Sequence, residues 1–217
     1  MKDCTELVFI LDRSGSMHGL ESDTIGGFNS LLEKQKAEGL PVLVSTVMFN
    51  QESRVIHDRC DIGTVPPLTE QDYEPAGCTA LLDAIGGAVK HISMVHRYAR
   101  PEDVPARTLF VITTDGLENA SRRFSAKAVR ELIEEKKKAG WEFLFLGANI
   151  DAVETARAFG IAEDRAVNFV ADSDGVRENF RSLASPVAIF SRGGGLSGDW
   201  KKDIDEDHRK RSGKKRN

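Results

Sequence analysis

Five short apolar runs, separated by stretches with helical spacing, restrict this chain more than any other feature. They are LVFIL (7–11), VLVSTVMF (42–49), RTLFVITT (107–114), EFLFLG (142–147) and AVNFV (166–170). Most are continuous rather than alternating, the pattern of strands covered on both faces. Between them, SDTIGGFNSLLEKQKAEG sets Ile25, Phe28, Leu31 and Leu32 on one helical face, and Gly39 stops that helix before Pro41. TALLDAIGGAVKHISMV, AKAVRELIEEKKKAG, DAVETARAFG and GVRENFRSLASPVAIF follow the same logic. Asp151 with Glu154 forms a capping box, and Gly140 and Gly160 are natural helix stops. RVIH (54–57) after Asn50-Gln51-Glu52 reads as a hairpin return onto an antiparallel edge. The expected fold is therefore α/β: a doubly wound, mostly parallel six-stranded sheet with one antiparallel edge strand and helices on both faces. Pro186 either kinks the last helix or restarts it after Ser185, and the sequence leaves both open.

With 217 residues, 40% of them apolar, the chain suits one domain with a full core, expected over residues 1–192. Residues 193–217, opening on GGGLSGDW and ending in a charge run, are expected to be a flexible basic tail. Residues 200–217 hold eight Lys/Arg and four acids, so the remainder carries −8 of a total −4. An acidic body argues against a nucleic-acid partner. The first apolar run is too short for a signal-peptide core or a membrane span. Three scattered cysteines, Cys4, Cys60 and Cys78, lack metal-ligand spacing and fit a reducing compartment. A cytoplasmic protein with no membrane association, monomeric in isolation, is expected.

Three polar clusters fall at strand ends, where open α/β sheets bind ligands. In Asp12-Arg13-Ser14-Gly15-Ser16, a chain leaving its strand extended points alternate residues the same way, so Asp12, Ser14 and Ser16 converge. Gly77-Cys78-Thr79-Ala80-Leu81 opens a helix, and Thr113-Thr114-Asp115-Gly116 ends another strand with a carboxylate. Taken singly, each residue is an ordinary cap or turn. Together they make two carboxylates and three hydroxyls, an all-oxygen set suited to Mg²⁺ or Mn²⁺. If the carboxylates act through water, neutral hydroxyls hold the ion, which stays electrophilic toward an incoming carboxylate.

Asp12-x-Ser14-x-Ser16 after the first strand, Thr79 in the second loop and Asp115-Gly116 after the later strand resemble the von Willebrand factor A domain and its metal-ion-dependent adhesion site. The resemblance spans roughly residues 5–190. It implies that Ser14, Ser16 and Thr79 contact the metal, with Asp12 and Asp115 contacting it directly or through water. It also implies coupling between the metal loops and the last helix, roughly 174–190. Compact intracellular bacterial members look nearest. Cys78 departs from the small or polar residue that many members place before the threonine.

Two function classes follow. In the first, the metal captures an Asp or Glu from a protein partner, inside a larger assembly, and the chain is not an enzyme. In the second, the same site serves a Mg²⁺-dependent hydrolase or phosphoesterase, with His18 as the only nearby base. The lack of a His or Lys in the core motif favours binding. His18, Glu21, Glu118, Asn119, Asn149 and Asp151 read as surface or helix-start residues that could rim the site, and Cys78 reads as packing.

Overall fold

Successive residues of β1 (Thr5–Asp12) point to opposite faces of its sheet, and both faces are covered. The computed structural model describes Met1 and residues 3–212. On one face, Leu7, Phe9 and Leu11 pack against Phe28, Leu31 and Leu32 of α1 (Glu21–Ala37) and against Phe180, Leu183 and Val187 of α5 (Ser173–Ser191). On the other, Val8 and Ile10 share a core with Ile85 and Val89 of α2 (Leu81–Tyr98), Val129 and Ile133 of α3 (Ala126–Lys138) and Ala156 of α4 (Ala152–Ala158). Each fully buried Leu, Ile or Phe contributes roughly 1.5–3 kcal/mol of apolar transfer. Gly27 lets α1 and α5 touch, since a Cβ there would lie 2.4 Å from the Phe180 ring.

The other strands are β2 (Val42–Phe49), β3 (Ser53–Asp61), β4 (Arg107–Thr114), β5 (Glu142–Gly147) and β6 (Ala166–Asn168). Their order in the sheet is β3-β2-β1-β4-β5-β6, with only β3 antiparallel. The sequence expectation of a doubly wound sheet with an antiparallel edge holds. Strand order reverses between β1 and β4, so the crevice at the carboxyl ends of these two strands is the topological switch point. In register, Leu11 faces Thr113, which brings the ends of β1 and β4 level. α5 runs unbroken through Pro186, and Gln35 of α1 donates to the Ala184 carbonyl at 2.9 Å. The helix is thus not restarted at Pro186.

The expectation of a flexible tail from residue 193 is corrected over the described residues. A 3-10 turn at Gly198–Lys201 leads into α6 (Lys202–Ser212), which packs on α5 and β6. Leu196, Trp200 and Ile204 are buried in the α1/α5 core. The Trp200 indole donates to the Asp164 carbonyl at 2.8 Å, and Arg165 donates to the Leu196 carbonyl at 3.0 Å. Arg211 reaches both carboxylate oxygens of Asp172, the N-cap of α5, at 2.6 and 2.7 Å. The physical reason lies in spacing. Trp200 and Ile204 are four residues apart and share a face, while Glu206–Lys210 and Asp207–Arg211 pair on the rest of the helix. Residues 213–217 of the expected tail lie outside the described residues.

Candidate metal centre

The three polar clusters meet at the switch point. Asp12 ends β1 and is buried, with both carboxylate oxygens engaged: Oδ1 accepts from the Ser14 amide at 2.7 Å, and Oδ2 from the Thr114 hydroxyl at 2.6 Å. Burial pushes its carboxyl above the usual range, and the bonds from Thr114 and Ser14 oppose that rise. From Ser14 a chain of hydroxyls runs outward. Ser14 Oγ lies 3.1 Å from Ser16 Oγ, which donates to Asp115 Oδ1 at 2.6 Å. Asp115 is also buried, and its Oδ2 has no hydrogen-bond partner. Its carboxyl is likewise raised, first by burial and further by the Asp12 charge.

Thr79 enters the same space through Gly116. A Cβ on Gly116 would stand 3.1 Å from Thr79 Oγ1 and 3.7 Å from Ser16 Oγ, so hydroxyls of two loops face the bare Cα of the third. The structure thus places all five sequence-derived residues, Asp12, Ser14, Ser16, Thr79 and Asp115, around one point. A buried carboxylate oxygen without a donor, beside a second carboxylate and three hydroxyls, fits a hard divalent cation. Among the described residues no group of three or more His, Cys, Asp and Glu is assembled as a metal site, so softer, nitrogen- or sulfur-rich coordination has no candidate.

Main-chain bonds hold the loops. Ala76 N donates to the Arg13 carbonyl at 2.9 Å, and Gly15 N donates to the Gly77 carbonyl at 3.0 Å. The Tyr73 hydroxyl donates to the Asp12 carbonyl from a fully buried ring. Asn119 brackets Thr79: its side-chain oxygen accepts from Thr79 N at 2.9 Å, and its own amide donates to the Thr79 carbonyl at 3.0 Å. Glu118 accepts from the Leu82 amide at 2.9 Å, and Asp83 accepts from the amides of Arg122, Arg123 and Phe124, each at 2.9 Å. Glu118 and the exposed Asn119 therefore brace the site from its surface.

Thr114, Tyr73 and Asn119 are the supporting residues the sequence did not single out for such roles. For Thr114 the available signal was its place beside Asp115 in a strand parallel to β1. Asn149 adopts a left-handed φ of 55° and donates to the Asp115 carbonyl at 3.3 Å. His18 is exposed and lies 3.3 Å from Glu21. Cys78 is exposed, which corrects its reading as a packing residue; its amide is held by Gln51 Oε1 at 3.2 Å. Gly77, at φ 74°, leaves the room that Gln51 uses, since a Cβ there would lie 1.8 Å from Gln51 Oε1.

This sheet order, with its single antiparallel edge and loop cluster at the β1/β4 crevice, defines a von Willebrand factor A-type α/β fold. Among solved structures, the chain is similar to the von Willebrand factor domain of the type V pili tip protein Mfa5 from Porphyromonas gingivalis, with TM-score 0.63 and 12% identity over 91% of this chain and 99% of that one. It is also similar to the PilB minor pilin of Streptococcus sanguinis (TM-score 0.61, 12% identity, 87% and 62% covered). A von Willebrand factor type A structure from Catenulispora acidiphila gives TM-score 0.54 and 15% identity, with 85% and 42% covered. The chain spans 46% of the length of proximal thread matrix protein 1 from the mussel byssus, matched at TM-score 0.56 and 13% identity over 85% of this chain. No protein-family model and no curated protein sequence matches the chain. Identities this low establish the fold alone.

Proposed function

We propose that this chain is a protein-interaction module whose loop cluster holds a divalent cation, Mg²⁺ or Mn²⁺, and through it the carboxylate of an Asp or Glu on a protein partner. The observation that carries this reading is the buried, unpartnered Asp115 Oδ2 at the end of the Ser14–Ser16–Asp115 chain. Ser14, Ser16 and Thr79 would hold the ion as neutral donors, with Asp12 and Asp115 balancing its charge. The bound ion supplies Lewis-acid attraction for a carboxylate. Asp12 is pinned by Ser14 and Thr114, so it keeps its orientation in the absence of the ion.

Binding is preferred over hydrolysis because no base is in hand. His18, the candidate base of the sequence, is exposed and faces Glu21 at 3.3 Å rather than the oxygen cluster. Three free cysteines support a reducing, cytoplasmic setting, and no described helix is long and apolar enough to cross a membrane. Monomeric behaviour in isolation and a place in a larger intracellular assembly belong to the same proposal.

The test is the melting temperature of the full chain with Mg²⁺ and with chelator. A Mg²⁺-dependent rise that vanishes in Asp12→Ala and Asp115→Ala supports the site. Equal rises in all three proteins refute it. Mg²⁺-dependent hydrolysis of p-nitrophenyl phosphate, lost in Asp12→Ala, would replace binding by the hydrolase reading.

A further inference from the structure

At the end of the sheet opposite the oxygen cluster, a cavity of about 650 Å³ opens between α2 and α3, beside the segments that lead into β4 and β5. Lys90, Arg97 and Lys136 line it against one acid, Glu135, in a chain whose net charge is −4. Glu135 pairs with Lys136 at 2.8 Å. Lys90 and Arg97 rest instead on aromatic rings, 4.8 Å from the Phe124 centroid and 5.7 Å from that of Tyr98, and among the described residues neither is ion-paired. Arg97 and Lys136 sit in last helical turns, where the helix dipole favours cations. Lys90 lies two turns before the end of α2, so the dipole does not account for it. Apolar surface accompanies the charge. Met94, 59% exposed, lines the cavity, and Tyr98, 77% exposed, stands one turn further along the same face of α2. The wall behind is fixed: fully buried Glu6 holds His96 Nε2 at 2.5 Å, and Trp141 packs edge-on to the His96 ring with centroids 5.3 Å apart.

We infer that this face binds an acidic segment of a protein partner, with an apolar side chain seated between α2 and α3 beside Met94 and carboxylates over Lys90 and Arg97. It is a second surface, and it works without the cation. Charge complementarity selects the occupant. Two carboxylates neutralise the two unpaired cations, whereas a basic segment meets three like charges. Lys90 and Arg97 are seven residues apart on one helix, about 10 Å of rise, which roughly three residues of extended chain cover. The apolar side chain between those acids then faces Met94, and arginine, methionine and tyrosine are residue types that interface cores favour. Trp141 is buried at 8% exposure and offers no open ring face to a nucleobase, which favours a peptide over a nucleic acid on this basic surface.

The experiment selects peptides from a displayed random library on the full chain in chelator, so that the oxygen cluster holds no cation, with counter-selection on the double variant Lys90→Glu, Arg97→Glu. Selected peptides are expected to carry paired Asp or Glu residues around a large apolar one. Lys90→Ala combined with Arg97→Ala should weaken a selected peptide about tenfold or more, and Met94→Ser should weaken it several-fold. All three side chains are exposed, so these variants should melt with wild type. Oligo(dT) in excess should leave the peptide bound. Peptides without acids or without the apolar residue, peptides indifferent to these substitutions, displacement by oligo(dT), or failure to select any peptide would each overturn the inference. None of these results bears on the function proposed above, because no step of the experiment uses Mg²⁺.

Discussion

Replacing Asp115 with asparagine in the metal-free protein should stabilise it, the reverse of what a substitution at a braced, buried site normally does. Asp115 is 2% exposed, Oδ2 is unpartnered, and the Asp12 charge adds repulsion. A buried acceptor left unmade costs roughly 1–3 kcal/mol. The amide of Asp115→Asn keeps an oxygen for the Ser16 hydroxyl and removes the charge, while its own NH₂ group offsets part of the gain. A net of about 1 kcal/mol is expected at pH 7, or roughly 2–4 °C in melting temperature. The pH dependence follows from the sign of the shifts. Burial holds the folded carboxyls of Asp12 and Asp115 above their unfolded values. Their contribution is fully present below the unfolded value near ~3.9 and is lost as pH rises through the folded value. Wild type in chelator therefore loses stability across that window, Asp115→Asn loses less, and the gap opens with pH. Magnesium inverts the ranking. With a dissociation constant on the order of 1 mM, ~10 mM Mg²⁺ adds about 1.4 kcal/mol to wild type and little to the variant. Circular-dichroism melts at pH 4 and pH 7, each in chelator and in Mg²⁺, read all four states. Asp115→Asn less stable than wild type in chelator at pH 7, or equally responsive to Mg²⁺, would refute the reasoning.

Trp200→Ala should cost about 3 kcal/mol, since it empties a buried indole site and removes the hydrogen bond to the Asp164 carbonyl; a urea-unfolding loss under ~0.5 kcal/mol would mean that the C-terminal segment is not docked. Gly116→Ala places a methyl 3.1 Å from Thr79 Oγ1 and should blunt the Mg²⁺-dependent rise in melting temperature, with the chelator melt changed by less than ~1 kcal/mol. Asn119→Ala removes the acceptor for Thr79 N and should lower stability by about 1–2 kcal/mol in urea titrations, with weaker Mg²⁺ affinity by calorimetry.

The layer order was legible in the sequence because strands buried on both faces are continuously apolar and the helices end on real stops: Gly39, Gly140 and Gly160 take φ of 66°, 85° and 79°. Alternation at Asp12, Ser14 and Ser16 was legible for the same local reason. Thr114 was not, because its bond to Asp12 depends on the β1/β4 register, which no short stretch encodes. Tyr73 lies in the irregular segment 62–80 between β3 and α2, where only the folded path brings its hydroxyl to the Asp12 carbonyl. α6 was missed because twelve charges in residues 200–217 outweighed two apolar residues. The spacing of Trp200 and Ile204 held the signal.

The loops around the oxygen cluster are fastened largely through their main chains, at Arg13–Ala76, Gly15–Gly77, Asn50–Ala80 and Thr79–Asn119. A joint made by amides and carbonyls does not depend on the side chains that stand above it. The exposed Cys78 and Leu117 can thus be rewritten while the donors beneath keep their positions, as an engraved face is recut without moving its mount. If the cluster holds a cation and a partner as proposed, a library varied at those two positions would keep the cation chemistry constant and change only which protein is bound.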